Sequence, residues 1–191
     1  MKLHIAIIYG SVRSHRQGIR GAYFLQQKLK ERGHEITFID PKEYELPFLD
    51  KMYKEYESGQ APPVLETLHQ KLEAADAFLL VSGEYNHSMP PAMKNLLDHF
   101  QQEYFYKPSA IAVYSAGSFG GVRAAVHVRE IAGELGMPSI PSVFPMPKVQ
   151  SNFDEAGTPQ DEKFDKFVKR FLDELEWYGE ALKTQRKKGM P

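Results

Sequence analysis

The 191-residue chain carries 24 Lys and Arg against 25 Asp and Glu, a formal net charge of −1, and is 42% hydrophobic. That balance suits one compact domain with a full core and excludes the charge bias of a nucleic-acid-binding or membrane-surface protein. Cysteine is absent, so disulfides, thiolate metal sites and a cysteine nucleophile are excluded, and any redox chemistry falls to a bound cofactor.

The start, Met1-Lys2-Leu3-His4-Ile5, is a short strand-like run rather than the apolar core of a signal peptide. No apolar run approaches the roughly 20 residues of a membrane span, and the expected location is the cytoplasm. Leu3 to Tyr9 reads as the first strand, and Gln17 to Arg32 as a helix closed by Gly33. A second strand follows over Glu35 to Ile39. Pro41 to Pro63 is polar, broken by prolines and rich in aromatics, which marks an excursion over the surface rather than an interdomain linker. Val64 to Ala75 returns to helical spacing. Ala77 to Val81 and Ala110 to Tyr114 are continuous apolar runs, the pattern of strands covered on both faces, with the helical stretch Ala92 to Gln102 between them. Gly121 to Leu135 is the next helix. Ser139 to Phe144 is the fifth strand, placed at an edge by Pro138 and Pro141, which cannot donate to a ladder. Phe164, Phe167, Val168, Phe171, Leu172 and Leu175 recur at helical spacing, and Lys183 to Lys188 reads as a frayed, solvated tail. The division expected is one domain over 1–182 and a basic, flexible tail over 183–191.

Alternating strands and helices of this length predict an α/β fold, with a parallel sheet covered by helices on both faces. Five strands suit the doubly wound order 2-1-3-4-5, whose switch point brings the loops after strands one and three into a single crevice. The first of these, Gly10-Ser11-Val12-Arg13-Ser14-His15-Arg16-Gln17-Gly18, combines close backbone approach, serine hydroxyls, helix amides and two arginines, which suits a phosphate monoester. It has neither the Gly-Lys-Ser/Thr end of a P-loop nor the glycine triplet of a dinucleotide fingerprint. The bland alternative is an ordinary strand-to-helix turn.

The second loop, Ser82 to Pro91, offers the Tyr85 ring for a planar ligand, Asn86 for a heterocycle edge and Glu84 as an acceptor, with Ser88 as a helix cap in the bland reading. The third, Ser115-Ala116-Gly117-Ser118-Phe119-Gly120-Gly121, has three glycines that let backbone amides meet negative charge. The seven histidines lack metal-ligand spacing; His69 and His127 read as surface or packing residues, and no metal is expected.

Gly10-Ser11-Val12-Arg13, then Glu84-Tyr85-Asn86 with Pro90 and Lys94-Asn95, then Ser115-Ala116-Gly117 with Gly120-Gly121-Val122-Arg123-Ala124, resemble the NADPH-dependent FMN reductase family over roughly residues 1–180, including the turn at Asp154-Glu155-Ala156-Gly157. The resemblance implies a flavodoxin-like three-layer sandwich and non-covalent FMN. It also implies ping-pong hydride transfer from NADPH to flavin N5 and on to a flavin, quinone or azo acceptor, in homodimers or homotetramers. Carried over by position, Ser11, Arg13, Arg16, Gln17 and Gly18 would hold the phosphate. Glu84, Tyr85, Asn86, Ser88 and the adjoining Met89 would line the isoalloxazine, and Ser115, Gly117, Ser118 and Gly120 would meet its far edge. The chain departs from the family at Gly83, where members commonly have proline and where a more mobile loop is expected, and in lacking a Ser-x-Asn end to the first loop. No side chain is assigned as acid or base, and Arg123 is read either as a nucleotide or subunit contact or as a structural ion pair.

The aromatics Phe100, Tyr104, Phe105, Tyr106, Tyr53 and Tyr56 are the expected subunit surface. Two other classes fit the same residues: a flavodoxin-like electron carrier, and a flavin-free regulatory domain that has kept the fold.

Overall fold

Five apolar runs line up in parallel in a computed structural model that describes residues 1–191: β1 His4–Tyr9, β2 Glu35–Ile39, β3 Ala77–Gly83, β4 Ser109–Tyr114 and β5 Ser139–Met146. Their order is β2-β1-β3-β4-β5, as the alternating pattern predicts. β3 and β4 are buried at every position because helices cover both faces. β5 stands at an edge, with Pro141 and Pro145 exposed.

The helices are α1 Ile19–Glu31, α2 Pro63–Glu73, α3 Pro91–Asp98, α4 Val122–Glu134, α5 Val149–Asn152 and α6 Lys163–Arg186. Alternation along the strands divides the core. Ile5, Ile7, Tyr9, Ala112 and Tyr114 pack with α1, α5 and α6, whereas Ala6, Ile8, Ile111 and Val113 pack with α2, α3 and α4. Tyr9 and Tyr114 therefore end neighbouring regions of the sheet on the same face. No helix is long and apolar enough to cross a membrane.

Several boundaries differ from the sequence pattern, each for a local reason. α1 starts at Ile19 with Gly18 as its N-cap, so Gln17 belongs to the loop. α3 stops at Asp98, and the chain turns back through a short 3-10 turn, Gln102–Tyr104. That reversal buries two of the six aromatics expected at a subunit surface, Phe100 at 1% and Tyr104 at 0% exposed, with Tyr104 meeting the Phe78 ring edge-on at 5.3 Å, while Tyr53, Tyr56 and Phe105 stay half-buried and Tyr106 exposed. The Pro41–Pro63 excursion is pinned to α3, with Asn95 accepting from Leu49 N at 3.0 Å and donating to Pro47 O at 2.8 Å. α6 runs through Arg186, four residues into the stretch read as a frayed tail. The partly buried Asp76 carboxylate draws both Lys183, at 2.6 Å, and Arg186, at 3.4 Å, onto the sheet.

Candidate active site

Three loops leave the carboxyl ends of β1, β3 and β4 and converge on one cavity of about 360 Å³. It brings together eight of the residues singled out from the sequence: Ser11, Arg13, Arg16, Gln17, Gly18, Glu84, Tyr85 and Ser115. His15, Gly83, Tyr114, Ala116 and Val149 complete its wall.

Loop one wraps the start of α1. This helix has no side-chain cap and no acidic residue in its first turn, so its leading amides offer an unopposed positive end to an anion. Arg13 is exposed at the rim. Arg16 is committed elsewhere: its guanidinium forms a two-pronged pair with Asp40 and donates to Ser11 O at 2.9 Å. It also lies over the Tyr9 ring at 5.3 Å. Burial alone would lower the Arg16 pKa, but hydrogen bonding to Asp40 and its charge carry it above the usual value. Arg16 therefore braces the loop against the end of β2.

Loop two is a tight two-residue hairpin. Tyr85 and Ser88 exchange backbone bonds of 2.8 and 3.0 Å, and Asn86 and His87 between them take φ of 50° and 70°. Positive φ at both central positions matches the twist of a reversed chain, and asparagine tolerates it well. The hairpin holds Tyr85 at the cavity while Asn86 is exposed at its tip. Ser88 does not cap α3, whose N-cap is Pro90; its hydroxyl meets His127 Nδ1 at 3.1 Å. Met89 is 6% exposed and belongs to the core beneath α3, away from the cavity wall.

Glu84 has a structural partner that the sequence pattern did not reveal. Its carboxylate accepts from the amides of Arg123 at 3.1 Å and Ala124 at 3.4 Å, and pairs with the Arg123 guanidinium at 3.5 Å. α4 begins after Gly121, which has no side chain to cap it, and Glu84 supplies the missing acceptor from across the crevice. Loop three is tied down on its other side: Lys148 N donates to Gly117 O at 3.0 Å and Val149 N to Ser115 O at 3.2 Å. Gly117 and Ser118 are exposed outside the cavity wall, and Gly120 turns toward Pro145 and Pro147 of the β5 segment.

Beneath all three loops lies Tyr114. A β-carbon added at Gly18 would fall 2.1 Å from its ring, and one added at Gly83 would fall 3.1 Å away. The ring thus fills the space that side chains at both positions would need, which gives the Gly83 departure its reason. Gly83 is the last residue of β3 and fully laddered, not part of a loosened loop. Tyr114 stacks on Tyr9 at 5.9 Å and its hydroxyl donates to Tyr9 Oη at 3.1 Å, while Ser11 Oγ meets Tyr85 Oη at 3.1 Å. Burial pushes the Tyr9 phenol up to about 12 and the Tyr114 phenol well above its ordinary value, so both stay protonated donors. Neither tyrosine was singled out from the sequence. The signal available was their shared position, each ending a strand on the α1 face.

The NADPH-dependent FMN reductase family model matches residues 3–151. The chain belongs to this family. Membership makes it an NAD(P)H-dependent oxidoreductase that works with FMN. It is 34% identical over 133 residues to an NAD(P)H:quinone oxidoreductase of Solanum tuberosum, covering 68% of this chain and 66% of that one. It is 33% identical over 128 residues to an NAD(P)H-dependent FMN reductase of Pseudomonas aeruginosa, covering 64% and 69%. A 2-hydroxy-1,4-benzoquinone reductase of a Burkholderia species is 28% identical over 184 residues, covering 91% and 94%. Among solved structures, FerB, a flavoenzyme NAD(P)H:(acceptor) oxidoreductase from Paracoccus denitrificans, superposes with a TM-score of 0.74 at 24% identity, covering 92% of this chain and 98% of that one. A flavodoxin variant from Pseudomonas aeruginosa shares the fold at a TM-score of 0.54 and 18% identity, covering 95% and 99%.

The residues present fit FMN. An uncapped helix N-terminus, a buried serine hydroxyl and a rim arginine suit the phosphate, and an aromatic side chain on a rigid hairpin suits the ring.

Proposed function

We propose that this chain binds FMN with its phosphate on loop one and its ring along loop two, and transfers electrons from NAD(P)H to a small quinone or flavin. The observation that carries the reading is the convergence of three strand-end loops on one cavity beside the uncapped start of α1. Bound FMN supplies the two-electron redox chemistry, and the protein supplies orientation and electrostatics. Ser11, Arg13, Gln17 and Gly18 hold the phosphate, with Arg16 shaping the loop around it. Tyr85 and the Asn86 tip of the hairpin border the ring, and Ser115 faces them from loop three. Glu84 keeps the hairpin and α4 in register rather than acting on substrate.

NAD(P)H and the acceptor take turns at one stacking position, which makes turnover ping-pong. No side chain is required as acid or base. Quinones are favoured as acceptors by the names of the similar proteins of Solanum tuberosum and the Burkholderia species. The setting is cytoplasmic, and the working unit is a homodimer or homotetramer. Its contact surface is built from exposed apolar residues beside the crevice: Val12, Phe48 and Leu49 on one flank, Phe119, Val122 and Val126 on the other.

The test is the visible spectrum of the protein after addition of FMN and desalting, recorded before and after anaerobic NADPH. A retained flavin band that bleaches supports the proposal. Loss of all flavin on desalting overturns it, and a retained flavin that NADPH leaves oxidised points to an electron carrier.

A further inference from the structure

The edge of the sheet at β5 carries a second concavity, of about 540 Å³, that shares no lining residue with the crevice of the three loops. Its wall is aromatic. Phe144 from β5 and Phe164 and Phe171 from α6 are each 3% exposed or less, while Phe167 of α6 stands 64% exposed. Lys163 and Arg170 also line it, and no carboxylate does. Lys163 pairs with Asp161 at 2.7 Å and lies over the Phe164 ring at 5.2 Å. Arg170 is exposed and has no acidic partner, because Glu174, one turn further along α6, is turned to Ser142 N at 2.9 Å.

The backbone of this edge is closed to a pairing strand. Pro141, Pro145 and Pro147 have no N–H to give, and the Ser142 N–H is held by Glu174. Arg129 donates to Ile140 O at 2.9 Å and to Pro141 O at 3.1 Å, which occupies two of the carbonyls. A peptide adding by main-chain bonds, or a second copy extending the sheet, meets few free groups. What the groove does offer is apolar area, an unpaired guanidinium and a volume within the range of small-molecule sites. Such a guanidinium is a ready two-pronged donor to a carboxylate, and Phe167 keeps apolar area against water until a hydrocarbon covers it.

We propose that the groove between β5 and α6 binds a small apolar carboxylic acid, with its hydrocarbon part against the four phenylalanines and its carboxylate on Arg170. Lys163 adds positive charge beside it. The complement is a matter of sign as well as shape: an uncharged molecule of the same length leaves Arg170 unpaired, and an amine meets two cations.

The probe is octanoate below its micelle concentration, with octanol and octylamine as controls, titrated calorimetrically into the full chain with and without added FMN. A straight alkyl chain has no planar ring for the crevice of the three loops to take. Octanoate is expected to bind equally with and without FMN, and about tenfold more tightly than octanol, the worth of a charge-assisted hydrogen bond. Arg170→Gln should remove that tenfold preference and leave octanol binding unchanged. Phe167→Ser should weaken both ligands about fivefold. Both side chains are exposed, so the variants keep the fold, which thermal denaturation checks. Octanoate that fails to bind, that FMN displaces, that binds no better than octanol or octylamine, or that binds Arg170→Gln as well as wild type overturns the proposal. So does a Phe167→Ser protein that sediments as a smaller oligomer than wild type, since the groove is then a contact between copies of the chain.

Discussion

Asp40→Asn tests whether Arg16 is a brace or a ligand. The two side chains are 16% and 8% exposed, and their pair is the main tie between loop one and the end of β2. Removing one partner of a buried pair costs about 3–5 kcal/mol, and water reaching the partly open Arg16 brings this to about 2–3 kcal/mol. For a chain of 191 residues, at about 2–4 °C per kcal/mol, Tm falls by roughly 4–12 °C. Arg16→Met/Asp40→Leu removes both charges and recovers to within about 1 kcal/mol of wild type, because no unpaired charge stays buried. The assay is thermal unfolding of the apoprotein followed by circular dichroism. A single variant as stable as wild type, or a double variant no better than the single, refutes the brace. An FMN affinity that falls more than about tenfold in the well-folded double variant returns Arg16 to the phosphate.

Alkaline titration reports on the tyrosine pair. Tyr9 ionises near 12 in the fold against 10.0 ordinarily, so the folded state holds its proton more tightly. The associated stability is whole below pH 10 and is lost as pH rises toward 12, up to about 2–3 kcal/mol. Urea midpoints measured from pH 9 to pH 11 should fall, and Tyr9→Phe should flatten the slope; parallel curves count against the buried phenol. Glu84→Ala strips the acceptor from the first turn of α4 and should cost about 1–2 kcal/mol in urea denaturation, whereas Glu84→Gln should cost about half of that. Gly18→Ala drives a methyl group into the Tyr114 ring and should destabilise by about 1–3 kcal/mol while weakening FMN binding. Sedimentation should give a dimer or tetramer at micromolar concentration, and Val126→Asp should shift it toward monomer; a wild-type monomer sinks the proposed subunit contact.

The fold was legible because parallel strands covered on both faces read as unbroken apolar runs, and Ala77–Val81 and Ala110–Tyr114 are such runs. Their alternation with amphipathic helices leaves few topologies, and the order β2-β1-β3-β4-β5 followed. The three loops were legible for the same reason: a polar, glycine-rich segment straight after a buried strand lies at the carboxyl edge of the sheet. Helix ends were less so, since α3 stops and α6 continues through contacts with residues distant in sequence, such as Lys183 with Asp76.

Residue types and spacing by themselves determined that this chain is an α/β domain with a serine-, glycine- and arginine-bearing loop beside an aromatic one, because local pattern and strand burial are properties of neighbours along the chain. Tertiary structure decided which of those polar groups are free. It gave Arg16 to Asp40, 24 residues away, and Glu84 to the start of α4, 39 residues away. It also put Tyr114 beneath Gly18 and Gly83. A side chain's partners lie across space, and a charge or hydroxyl that looks available in the sequence is available only if no buried group has already claimed it.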